Sequence, residues 1–214
     1  MRDDELIKRQ SELQILYLRN MQKIKWRMNA IFDIRQGRRT TTYQQTNIEF
    51  CVLQIRKVLE LIAFSSLVSD TDVYREKLIN IEKMWNAKHI LADIERIHPD
   101  FYPKPIVIDE DDKEIWNDRQ GPYLTRDEFV KVYDRCGKFL HEDSPYKTEK
   151  EIHNEYEQLW NDIGEWGQLI INLLSNHTIH LYNQKDLFFI SMDKGDNPPH
   201  GNIFTRVAEV ETNE

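Results

Sequence analysis

Residues 47–68, NIEFCVLQIRKVLELIAFSSLV, decide how the rest of the chain is read. Ile48, Cys51, Val52, Ile55, Val58, Leu59, Ile62 and Phe64 recur at helical steps and cover more than one face. A helix that is apolar nearly all round has no side to turn to solvent, so it belongs at the centre of a bundle. Outward from it, Glu5 to about Arg35 carries Leu6, Leu13, Leu16, Met21, Ile24, Met28 and Ile31 at three- and four-residue steps, which predicts an amphipathic helix. Gly37 and the run Thr40-Thr41-Thr42 interrupt it. On the other side, Thr71 is placed to cap a third helix through Leu78, Ile81, Met84, Trp85, Ile90 and Ile94, ending before Pro99.

Residues 99–123 read as one long irregular connection, with Pro103, Pro105, the acidic run Asp109 to Asp112 and Gly121-Pro122; Ile106-Val107-Ile108 is a candidate extended piece within it. Two capping boxes follow. Thr125-x-x-Glu128 opens a helix to about His141, and Thr148-x-x-Glu151 opens another to about Asn176. The period then switches to two at Ile179–Tyr182, Leu187–Ile190 and Ile203–Val207, which predicts three short strands. The expectation is a mainly α protein: a bundle of about five helices over residues 1–176, with a small C-terminal antiparallel β meander (177–214) packed on the same domain.

The chain has 214 residues and a mass of 25.8 kDa, enough to bury one core, so a single domain is expected. The net charge of −8 argues against wholesale wrapping by nucleic acid. Its distribution is uneven: residues 1–60 carry twelve basic and seven acidic side chains, and the remainder is strongly acidic. Within that basic part, Arg19, Lys23, Arg27, Arg38 and Arg39 are candidate phosphate contacts. The competing reading is a solvated face, or one paired with the acidic remainder of the chain. Cys51 and Cys136 fit neither a disulfide scaffold nor a zinc ribbon, the first residues lack the apolar core of a secretory signal, and no apolar run is long enough to span a bilayer. A cytoplasmic protein with no membrane partner is therefore expected.

Phosphate-binding loops, dinucleotide fingerprints, zinc-protease helices and nucleophile elbows are all absent from the sequence. A di-iron bundle needs two Glu-x-x-His pairs plus two further carboxylates, and the chain has one pair, Glu95 and His98, at a predicted helix end. No metal and no cofactor are expected. Trp85, Trp116, Trp160 and Trp166 read as packing aromatics. Glu49, Arg56 and Glu60 fall on one strip of the central helix, either exposed and salt-linked or facing a cleft. His177 and His180 would lie on opposite faces of a strand and so would not share a metal.

The segment that carries chemistry is Tyr133-Asp134-Arg135-Cys136-Gly137-Lys138-Phe139-Leu140-His141, on the fourth predicted helix. An Arg followed at this spacing by a His, in a bundle of long helices, resembles the HEPN group of all-helical proteins over about residues 45–175. The resemblance implies a metal-independent endoribonuclease, often active as a homodimer with both Arg/His pairs facing one cleft. Its catalytic residues here would be Arg135 and His141, with RNA as substrate. The chemistry is coherent, since His exchanges protons near neutrality and Arg offers a planar cation to phosphate oxygens. On a straight helix, however, the two residues project about 120° apart. Convergence needs a distortion, for which Gly137 is the candidate; Gly137 could instead end the helix or admit a close neighbour. The alternative is a non-catalytic interaction module, a regulatory or defence-associated subunit that dimerises or binds a protein partner.

Overall fold

The computed structural model describes residues 2–69, 86–109, 111–112, 115–181 and 186–205. Among these it contains five helices: α1 (Arg2–Arg35), α2 (Gln44–Ser69), α3 (Ala87–Ile97), α4 (Arg126–Phe139) and α5 (Glu149–Leu174). Five strands accompany them: β1 (Lys104–Ile108), β2 (Trp116–Asp118), β3 (Asn176–His180), β4 (Asp186–Ser191) and β5 (His200–Thr205). The mainly α class with a small antiparallel sheet is the architecture expected. No described helix is long and apolar enough to cross a membrane.

Helix α2 is central. Ile48, Cys51, Val52, Ile55, Val58, Leu59 and Ile62 are all at most 1% exposed, and α1, α3, α4 and α5 contact the helix on its different sides. Each such side chain contributes about 1.5–3 kcal/mol through removal from water. Ser65 and Ser66 are buried on the same helix and return their hydroxyls to the carbonyls of Leu61 and Ile62, so the polar atoms are satisfied locally.

Helix α1 lies along α2 on the arc Tyr17, Met21, Ile24, Met28, Ile31 and Ile34. Leu16, expected on that arc, is 47% exposed, and Tyr17 takes the core position. The reason is angular: Tyr17 lies four residues before Met21 and seven before Ile24, in phase with the helix, whereas Leu16 is displaced by one residue, about 100°. The predicted cap Thr71 and the residues Leu78, Ile81, Met84 and Trp85 lie outside the described residues. Helix α3 itself is capped by Asn86, whose side chain accepts from the amides of Lys88 and His89.

Both capping boxes form. The Thr125 hydroxyl accepts from the Glu128 amide and the Glu128 carboxylate from that of Thr125, and Thr148 and Glu151 repeat the exchange on α5. Each such cap is worth about 1 kcal/mol.

The expected C-terminal meander forms as β3-β4-β5, and two further strands extend it. The order of the whole sheet is β2-β1-β3-β4-β5, every neighbour antiparallel, so two of its strands come from the segment read as an irregular connection. Pairing with β3 gives Lys104 and Pro105 a place, and β2 pairs Ile106–Ile108 further along. Alternate β4 residues face the helices: Phe188 meets Tyr17 edge-on at 5.3 Å between ring centroids. Phe189 faces the other way and stacks on Trp116 at 4.8 Å, with Phe204 edge-on to the same indole at 5.2 Å. Two glutamines of α1 fasten the bundle to the sheet, Gln10 donating to Asp186 at 2.7 Å and Gln14 to the Gly201 carbonyl at 2.6 Å.

Helices α4 and α5 share a local device. An aromatic residue and a glycine four positions later, Tyr133/Gly137 and Trp160/Gly164, form a shallow seat on the helix surface. Arg56 of α2 lies 4.3 Å over the Tyr133 ring and donates to its hydroxyl at 3.0 Å; Arg35 of α1 lies 4.6 Å over Trp160 and donates to its carbonyl. A Cβ on Gly137 would stand 2.7 Å from Arg56 Nη1, and one on Gly164 would stand 2.7 Å from Arg35 Nη2. In an ordinary helix interior, Gly→Ala gains about 1 kcal/mol. Here Gly137→Ala also displaces Arg56 from a cation–π contact and a hydrogen bond worth about 1–2 kcal/mol together. Urea denaturation should find Gly137→Ala neutral to destabilising in the native chain and stabilising by about 1 kcal/mol in an Arg56→Ala background. The same gain in both backgrounds would remove the seat from the account.

Candidate functional site

Helix α4 buries Phe129, Val132, Tyr133 and Cys136 against the core and turns Arg135 outward and sideways, half-exposed. It runs unbroken through Gly137 to Phe139, so this glycine neither ends the helix nor bends Arg135 towards His141. Its role is to admit Arg56. His141 follows the cap residue Leu140 and is exposed.

Arg135 is held by a carboxylate that the sequence did not single out. Its Nη1 lies 3.1 Å from Glu155 Oε1 on α5, and Glu155 Oε2 accepts from Lys147 Nζ at 2.6 Å. Lys147 also pairs with Asp143. The Lys147 hydrogen bond, aided by the Arg135 charge, holds the Glu155 carboxyl below the usual range, and the bonds to Asp143 and Glu155 hold the Lys147 ammonium above its own. Both therefore stay charged through the neutral range, and Arg135 keeps its partner there.

His141 lines a cleft of about 350 Å³ with Glu49, Lys147, Glu155 and Tyr156. Arg135 is not among the lining residues; it stands behind Glu155. Glu49 reaches the cleft from α2 and accepts a 2.7 Å hydrogen bond from the Tyr156 hydroxyl, which burial and this carboxylate keep protonated. The polar strip of α2 is thus half-buried and divided: Glu49 faces the cleft, and Arg56, 3.5 Å from Glu60, seats on Tyr133. The carboxylates around the opening, Glu49, Glu142, Asp143 and Glu155, outnumber the ammoniums Lys138 and Lys147. Such an opening repels a phosphodiester more than it attracts one.

None of the five basic candidates lines this cleft. Arg19 is exposed and Lys23 half-buried on the outer side of α1. Arg27 donates to Gln54 at 2.6 Å. Arg38 and Arg39 both converge on Asp33, at 2.7 and 3.6 Å. Arg38 also borders a wider groove of about 660 Å³, where Met28, Phe32, Leu174 and Met192 supply apolar surface. A second cation of that groove, Lys25, is buried and donates to the carbonyls of Met192 at 2.8 Å and Asn197 at 2.5 Å. Its position between Ile24 and Met28, on the apolar arc of α1, is the sequence signal that marks it. Lys25 ties α1 to the β4–β5 loop, and with the Asp193 main-chain carbonyl as a third acceptor at 3.4 Å it has no N–H to spare for a ligand.

Burial raises the thiols of both cysteines, Cys51 to about 11 and Cys136 to about 12, so neither is a nucleophile near neutrality. Among the described residues no group of His, Cys, Asp and Glu could hold a metal ion. Glu95 pairs with Arg126 at 2.6 Å, and His98 is buried at the end of α3. His177 is buried against Tyr17, while His180 is exposed on the same strand. No protein-family model matches the chain, and neither a curated protein nor a solved structure does.

Proposed function

We propose that this chain is a non-catalytic helical interaction module. The observation that carries the reading is on the outer side of α1, where Ile15 and Trp26 stand 65% and 63% exposed beside the exposed Arg19. Trp and Arg are among the side chains most often found as anchors of protein interfaces, and Trp, with two side-chain torsions, loses little entropy when covered. The cleft at His141 favours the same conclusion by subtraction. Stabilising a pentavalent phosphate needs a cation free to meet it, and Arg135 is already neutralised by Glu155.

A HEPN-like, metal-independent ribonuclease is the second reading. The exposed His141, sharing a cleft with Lys138 and Lys147, is what favours it. Incubating a mixed-sequence RNA with the full chain in EDTA separates the two. No cleavage above the protein-free control is expected from the native chain, His141→Ala or Arg135→Ala. Cleavage by the native chain that disappears in both variants would overturn the module reading and establish the Arg/His site.

A further inference from the structure

Most of the outer stripe of α1 is polar, as a helix on the surface of a bundle requires, and its order along the helix is self-complementary. Read from the point between Asn20 and Met21, the outward positions fall into symmetric pairs. Arg19 mirrors Gln22, Ile15 mirrors Trp26, Glu12 mirrors Asn29 and Lys8 mirrors Asp33. These positions step by four and three residues and so stay on one side of the helix. Lys8, Glu12, Ile15, Arg19, Trp26 and Asn29 are exposed, and Gln22 and Asp33 are half-buried.

We propose that α1 pairs antiparallel with α1 of a second copy, about a two-fold axis crossing the helix between Asn20 and Met21. The proposal rests on the interaction-module reading and names a second copy of this chain as the partner. Such an axis makes every contact occur twice. Ile15 meets Trp26 of the second copy at two places, which covers both exposed apolar side chains, and Leu16 widens each patch. Arg19 donates to the Gln22 amide oxygen near the axis. At the two ends Lys8 approaches Asp33, whose carboxylate already gathers Arg38 and Arg39. A parallel arrangement would instead set Lys8 against Lys8 and Asp33 against Asp33. Like charges brought together in this way select against it.

Sedimentation of the full chain should show a dimer. Trp26→Glu should convert it to a folded monomer, and Trp26→Ala should raise the dissociation constant at least about tenfold. Tyr146→Glu, at a residue 92% exposed elsewhere on the surface, should leave the dimer intact. The register is read by oxidative cross-linking, for which the buried Cys51 and Cys136 leave a clean background. Glu12→Cys mixed with Asn29→Cys should give a disulfide-linked dimer, while either alone should give none, because like positions would stand about 25 Å apart. A monomer at every concentration, a dimer indifferent to Trp26→Glu, or cross-linking of either single variant with itself would each overturn the pairing. A monomer without RNA cleavage would remove this pairing alone. RNA cleavage lost in both His141→Ala and Arg135→Ala would overturn the module reading on which it rests.

Discussion

Gly201→Ala should destabilise the protein by about 3 kcal/mol, the cost of forcing atoms into a filled site. A Cβ at this position would stand 2.3 Å from the Phe189 carbonyl oxygen, 2.9 Å from Phe188 Cε2 and 3.3 Å from Ile190 Cα. The two closest obstacles are a main-chain oxygen and a ring with little room to move. Phe188 and Phe189 belong to β4, which is hydrogen-bonded to β3 on one side and β5 on the other. Phe188 is also wedged against Tyr17. Relief therefore requires β5 to leave the sheet edge, which also withdraws the Gly201 carbonyl from Gln14. For a chain of this size the midpoint of thermal unfolding should fall by roughly 6–12 °C. A change of less than about 0.5 kcal/mol in denaturant titration, the range of an ordinary surface substitution, would show that the edge strand is free to shift.

The second large effect is a loss of stability on mild acidification, set by His177. Its Nδ1–H donates to the Leu174 carbonyl at 2.9 Å, and its Nε2, also at 2.9 Å, accepts from the Tyr17 hydroxyl, which burial keeps protonated. The ring is wholly buried, and burial pushes its pKa down to about 4 from the ordinary value of 6.5. Between those two values the unfolded chain binds a proton that the folded chain refuses. Stability from this group is therefore full above pH 6.5 and declines as the pH falls towards 4, by up to about 3 kcal/mol. From pH 6.5 to 5, above the range in which carboxylates titrate, the decline should be about 2 kcal/mol. His177→Gln should be less stable than the native chain at pH 7 and should flatten this interval. Parallel pH profiles of the two proteins would refute the assignment of this proton to His177.

How much of the molecule can be read from the chain depends on the range of the interaction involved. The capping boxes at Thr125 and Thr148 exchange hydrogen bonds within three residues, and both helices begin where those motifs stand. The central place of α2 follows from its own composition, since the buried Val58 and Ala63 project about 140° apart on the helix, with Ile48 and Ile55 between them, and need cover on more than one side. The strands of residues 104–118 were less legible. Pro103, Pro105 and the acidic run describe a connection correctly at the local level, yet β1 exists because β3 offers it a partner some seventy residues later.

The candidate site shows the same division more sharply. Arg135 and His141 are visible in the sequence as a pair, but the groups that decide what Arg135 can do are Lys147, in the connection after α4, and Glu155, near the start of α5. Gly137 is costly in a helix on its own, and the compensating group is the Arg56 guanidinium, on another helix. Lys25 carried a signal, a cation on an apolar arc, without any indication of which carbonyls would receive it.

By itself, then, the sequence determined what periodicity and capping can specify: helices in order, a central apolar one, a small antiparallel sheet and the polarity of each helix face. Tertiary structure alone decided which carboxylate holds Arg135, and that Ile15 and Trp26 are left outside. The physical reason is that backbone hydrogen bonds and hydrophobic period act over a few residues and leave their mark in the local pattern. An ion pair, a cation on a ring or an uncovered side chain depends instead on which surfaces meet once the helices have docked.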